Sequence, residues 1–87
     1  MITIYGKTAC PYCVSAKQLC EARGYEYEYK QLGEDFTREE VLEIFPGART
    51  FPQIIVGGNK VGGYDKMTQY IEDTGYNGTA YSTGNGK

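Results

Sequence analysis

No histidine and no tryptophan occur among the 87 residues. Without histidine there is no Ser-His-Asp triad, no Cys-His nucleophile pair and no imidazole metal ligand. Basic excess is missing too: 9 Lys and Arg stand against 11 Asp and Glu, a net charge of -2. Nothing resembles the cationic face a nucleic-acid binder needs. No apolar run approaches the roughly 18 residues of a membrane-spanning helix. The opening Met1-Ile2-Thr3-Ile4-Tyr5 lacks the basic and long apolar regions of a secretory signal. The expectation is one small domain, in the cytoplasm, without nucleic-acid or membrane partners.

Cysteine is scarce: Cys10, Cys13 and Cys20 fall within eleven residues. Disulfide-stapled secreted domains spread an even number of cysteines along the chain. A Cys-x-x-Cys pair in a reducing compartment points instead to catalysis or metal binding. Zinc takes about four ligands. Cys20 alone, with no histidine, does not complete a set, so no metal is expected. A cluster shared between two chains is left open.

The strongest patterns are periodic. Residues 2–5 alternate as a first strand. Pro11 to Arg23 reads as a helix, with Pro11 in its first turn, a stripe of Cys13, Ala16 and Cys20, with Leu19 beside it, and Gly24 as its terminator. Tyr25-Glu26-Tyr27-Glu28-Tyr29-Lys30 has a period of two and predicts a second strand with an aromatic face. Thr37-Arg38-Glu39-Glu40 is a capping box that starts a short helix ending at Pro46-Gly47. Pro52 to Val56 predicts a strand. Gly57-Gly58-Asn59 predicts a hairpin turn into a strand at Lys60-Val61-Gly62. Asp65 is assigned as N-cap of a last helix that ends at Gly75.

The order β-α-β-α-β-β-α predicts an α/β domain over residues 1–75, a four-stranded mixed sheet with helices on both faces. Residues 76–87, rich in Gly, Asn, Thr and Ser, are expected to form a mobile tail. Its Asn77-Gly78-Thr79 is formally a glycosylation acceptor, discounted for want of a signal peptide.

Cys10 sits where a strand gives way to a helix. Free N–H groups and the helix dipole stabilise a thiolate there. Cys13, one turn inside, is placed to attack a disulfide formed on Cys10. Cys10 is therefore the expected nucleophile and Cys13 the resolving thiol. Lys7 adds positive charge near Cys10, or is an ordinary solvated lysine. Cys20 reads as a small buried residue, with a regulatory thiol as the alternative.

Two further segments bear on the site. In Thr50-Phe51-Pro52 the local reading is an ordinary trans proline opening a strand; a cis bond would turn the Phe51 main chain toward the cysteines. Such a main chain pairs with an extended peptide-like ligand. Gly62-Gly63-Tyr64-Asp65 places glycines and a helix N-terminus where a carboxylate is attracted, with Asp65 free to accept from an ammonium group.

Cys10-Pro11-Tyr12-Cys13, Arg49-Thr50-Phe51-Pro52 and Gly62-Gly63-Tyr64-Asp65 together resemble the dithiol glutaredoxin family, in the family's order. The resemblance implies a thioredoxin-like fold with Pro52 in cis. It implies glutathione-dependent reduction of protein disulfides and glutathione mixed disulfides. The glutathione site it implies uses Lys7, Tyr12, Thr50, Phe51, Pro52, Gly63 and Asp65. Ribonucleotide reductase is an implied partner, and a monomer the implied state. Phe51 departs from the family's common valine, which points to an altered groove. Two alternatives stay open: a redoxin reduced by thioredoxin reductase, and a dimer holding a glutathione-ligated iron–sulfur cluster.

Overall fold

The computed structural model describes residues 1–76. Four strands and three helices alternate: β1 (Ile2–Gly6), α1 (Pro11–Arg23), β2 (Tyr27–Gln31), α2 (Arg38–Ile44), β3 (Gln53–Val56), β4 (Asn59–Gly62) and α3 (Tyr64–Thr74). The sheet order is β2-β1-β3-β4. β1 runs parallel to β2 and antiparallel to β3, and β3 pairs antiparallel with β4. This is the thioredoxin-like fold expected from the sequence.

The alternation of β1 and β3 divides the core in two. Ile2, Ile4, Ile54 and Val56 face α1 and α3, where they meet Ala16, Cys20, Met67 and Ile71. Tyr5 and Ile55 face the other way, toward Phe36, Val41 and Phe45 at α2. The Tyr5 ring meets Phe36 and Phe45 edge-on, with centroids 5.1 and 5.9 Å away. Ile2, Ile4, Ile54 and Met67 are fully buried. Each such side chain contributes about 1.5–3 kcal/mol of transfer free energy.

Three local signals act as read. The Thr37 hydroxyl accepts from the Glu40 N–H at 3.1 Å, and the Glu40 carboxylate accepts from the Thr37 N–H at 2.7 Å. Gly24 ends α1 at φ +71°. Gly57 and Gly58 both have positive φ, the geometry a two-residue hairpin turn requires. Asn59 belongs to β4 rather than to that turn.

Two expectations are corrected. β2 begins at Tyr27, not Tyr25, because the Tyr25 N–H is taken by Cys20 O at 2.9 Å, closing α1. The N-cap of α3 is Gly63, not Asp65. Gly63 has extended geometry and offers no side-chain cap, and Asp65 lies in the first turn. Tyr76 packs its ring edge-on against Tyr25, at 5.2 Å, and joins the larger core. Residues 77–87 of the expected tail, with Asn77-Gly78-Thr79, lie outside the described residues.

Candidate active site

β1 delivers the chain to Lys7-Thr8-Ala9, and the backbone reverses at Ala9, which has φ +58°. Cys10 then serves as the N-cap of α1, with Pro11 at the first helical position. Proline costs nothing there, since that N–H has no partner in the helix. Cys10 and Cys13 are joined in a disulfide, with Cα atoms 5.2 Å apart. The Cys13 N–H points at Cys10 Sγ from 3.2 Å. When the bond is reduced, that N–H and the dipole of α1 favour the Cys10 thiolate over the thiol.

The two sulfurs are unequal. Cys13 is wholly enclosed, whereas Cys10 keeps 7% exposure even in the disulfide. Cys10 Sγ lies 3.7 Å from the Phe51 carbonyl. The disulfide has no S–H to donate, so this is a contact in the oxidised form. The Phe51-Pro52 bond is cis, as the resemblance implies and against the local reading. The side chain of Phe51 does not fill the groove alone. It packs with the α2 core, its ring 6.1 Å from that of Phe36.

A cleft of about 460 Å³ opens beside the disulfide. It gathers Tyr12, Thr50, Phe51, Pro52, Gly63 and Asp65 from three separate stretches of chain. Lys7 is not in it. Lys7 lines a neighbouring groove together with Cys10. Two lining residues were not singled out from the sequence. The Tyr64 ring stacks on Tyr12 at 6.1 Å, and Lys66 stands in the first turn of α3. Tyr64 lay inside a recognised motif; no local pattern marked Lys66.

α3 begins at this cleft with no side chain capping it, and the exposed Asp65 carboxylate stands beside its free N–H groups. One end of the cleft thus offers donors for a carboxylate and an acceptor for an ammonium group. The other end offers the Phe51 main chain. Gly62, at φ +108°, makes the turn from β4 into α3 that sets this geometry.

Cys20 is fully buried, and burial pushes its thiol up to about 11, with Glu21 adding to the shift. A thiol held protonated and covered fits the packing role, not the regulatory one. Among the described residues no three of Cys, Asp and Glu gather as a metal site. No described helix is long and apolar enough to cross a membrane.

Comparison with known proteins adds the lineage. The glutaredoxin family model matches residues 2–61. A hybrid peroxiredoxin of Haemophilus influenzae is 39% identical over 70 residues, covering 80% of this chain but only 29% of that protein. Glutaredoxin of Ricinus communis is 34% identical, covering 77% of this chain and 69% of that protein. Reduced Escherichia coli glutaredoxin superposes with a TM-score of 0.73 at 30% identity, covering 84% and 94% of the two chains. A buckwheat glutaredoxin–glutathione complex superposes with a TM-score of 0.70 at 28% identity, covering 83% and 68%. With a Cys-x-x-Cys pair capping α1 in a thioredoxin-like fold, the chain belongs to the glutaredoxin family of thiol–disulfide oxidoreductases.

Proposed function

We propose that the chain is a glutathione-dependent dithiol oxidoreductase that reduces protein disulfides and glutathione mixed disulfides. The observation that carries this reading is the placement of Cys10 Sγ. It accepts the Cys13 N–H at the head of α1 and touches the main chain of a cleft suited to a short, doubly charged peptide. The buckwheat relative, solved as a glutathione complex, supports that choice of ligand.

The chemistry follows from thiolate exchange. The Cys10 thiolate attacks one sulfur of a target disulfide. That S–S bond breaks, a Cys10–target bond forms, and the departing sulfur leaves as a thiolate that takes a proton from water. The Cys13 thiolate then attacks Cys10 Sγ, freeing the target's second thiol and closing Cys10–Cys13. Two electrons have passed from the dithiol to the target. Two molecules of glutathione reopen the pair and leave as glutathione disulfide. On a glutathione mixed disulfide, Cys10 takes up the glutathionyl group and a second glutathione removes it, so Cys13 is not needed.

In the cleft, the Phe51 main chain pairs with the peptide backbone of glutathione. The α3 N–H groups near Gly63 hold its γ-glutamyl carboxylate, and Asp65 holds the ammonium. Tyr12 and Thr50 wall the cleft. Lys7, across Cys10 from it, adds positive charge on the thiolate's far side. A monomer acting in the cytoplasm, with ribonucleotide reductase among its targets, completes the proposal.

The test is glutathione-driven turnover of a glutathione mixed disulfide. Cys10→Ser abolishes it, and Cys13→Ser retains much of it while losing reduction of protein disulfides. Retained activity in Cys10→Ser would reverse the assignment.

A further inference from the structure

The cleft lies on one side of Cys10. On the other side is a second and larger groove, of about 700 Å³, which the reading above leaves unused except for Lys7. Its walls come from the β1–α1 loop, the exposed side of α1 and the end of β2. Cys10 itself forms part of the lining, and its sulfur also touches the carbonyl of Phe51, a residue of the cleft wall.

The groove is built rather than incidental. Tyr29 leans across the end of β1, so close that a Cβ at Gly6 would collide with its ring hydroxyl. Glycine at that position leaves the ring room to form one wall. Lys17 Nζ stands 5.7 Å from the Tyr29 ring centroid. An aromatic face under an ammonium group restrains it electrostatically. The Gln31 side-chain amide donates to Thr8 Oγ1 at 2.7 Å and ties the loop before Cys10 to β2. Val14, half exposed, supplies an apolar surface between them.

The charge of this groove runs against that of the chain. The whole sequence carries -2, yet the groove is lined by Lys7 and Lys17 and by no carboxylate. Among the described residues the ion pair is Lys30 with Glu28, and neither groove lysine takes part in it. The neighbouring Asp35 carboxylate is engaged by the Gln31 N–H at 2.8 Å. Two unneutralised cations beside an apolar patch fit an extended peptide bearing acidic side chains.

We infer that this groove receives the acidic flank of a protein substrate whose disulfide is being reduced. The inference rests on Cys10 acting as the nucleophile proposed above. A tripeptide such as glutathione is accommodated on the cleft side alone. A polypeptide joined to Cys10 continues past the sulfur, advancing about 3.3–3.6 Å per residue. One arm then lies along the Phe51 main chain and the other in the groove. Acidic residues one to three positions from the target cysteine reach Lys17 and Lys7. Lys17 therefore selects among protein targets without bearing on small glutathione disulfides.

The experiment uses the reduced full chain and three disulfide-looped peptides that differ only in flanking residues on both sides: Glu, Gln or Lys. Single-turnover rates are read by acid quench and chromatography of the peptide thiols. Wild type reduces the Glu peptide faster than the Lys peptide. Lys17→Glu lowers that rate ratio about three- to tenfold at low ionic strength, and molar salt brings the wild-type ratio toward one. Lys17 is exposed, so the variant is expected to fold, which its thermal transition checks. Both proteins turn over the mixed disulfide of glutathione and 2-mercaptoethanol equally, because its uncharged half makes no use of Lys17. A wild-type ratio near one, or a ratio unmoved by Lys17→Glu, overturns the inference while that turnover persists. Loss of the mixed-disulfide turnover in wild type would instead sink the glutathione reading beneath it.

Discussion

Asp65→Ala separates ligand binding from helix stability at one carboxylate. Asp65 is exposed, lies in the first turn of α3, and is not the N-cap. Its structural role is thus limited to the helix dipole, about 0.3–1 kcal/mol at an exposed site. In the proposed complex, a charged hydrogen bond from the glutathione ammonium to Asp65 contributes about 1.5–3 kcal/mol. Exposure to water places Asp65 at the low end, about 1.5 kcal/mol, or roughly tenfold at 1.36 kcal/mol per decade. The expected result is a KM for glutathione mixed disulfide raised about tenfold, with kcat little changed and a thermal midpoint only a few degrees lower. Asp65→Asn keeps the acceptor without its charge and falls between. Steady-state kinetics across substrate concentration, with thermal unfolding of each variant, gives both quantities. An unchanged KM with a clear loss of stability would show that the carboxylate serves the helix alone.

Four further outcomes follow from packing and capping. Thr37→Ala removes one half of a capping box whose two bonds are 3.1 and 2.7 Å and costs about 1 kcal/mol in urea unfolding. Ile54→Ala, at a fully buried position in β3, costs about 2–5 kcal/mol in the same measurement. The raised Cys20 pKa has a pH signature of definite sign. A thiol that titrates at 9.0 when unfolded and at about 11 when folded stabilises the fold below pH 9, and that contribution is lost as pH rises toward 11. The stability gap between wild type and Cys20→Ala should narrow over that window, and a gap constant from pH 8 to 11 would contradict the assignment. At pH 8, iodoacetamide should label Cys10 in the reduced chain and spare Cys20.

Most of the architecture was legible because its signals are local. Thr37 and Glu40 stand three apart, Gly24 follows a helical stripe, and Gly57-Gly58 closes the apolar run of Pro52 to Val56. Each states a backbone geometry within five residues. The failures have a common form. Tyr25 continues the alternation of Tyr27 and Tyr29, but its N–H is drawn back to Cys20 by the end of α1, a competition that residue pattern does not display. Asp65 is a good capping residue, yet the turn at Gly62 starts the helix two residues after itself, with Gly63 as cap. Nothing adjacent to Pro52 distinguishes cis from trans; only the resemblance carried that information. Tyr64 and Lys66 enter the cleft, and Lys7 stays out of it, through the packing of α3 against a sheet whose strands are far apart in sequence. Long-range placement of that kind leaves no periodic trace.

The complete enclosure of Cys13 has a consequence for traffic through the enzyme. With one sulfur sealed, Cys10 is the single port by which electrons both enter and leave. A reductant and a target cannot be served together, so each must depart before the other docks. Parallel lines in double-reciprocal plots are the kinetic signature of such alternation. On the proposed reading, with glutathione as the reductant, its abundance in a cell would act in two opposed ways, recharging the dithiol and occupying the port that protein targets need.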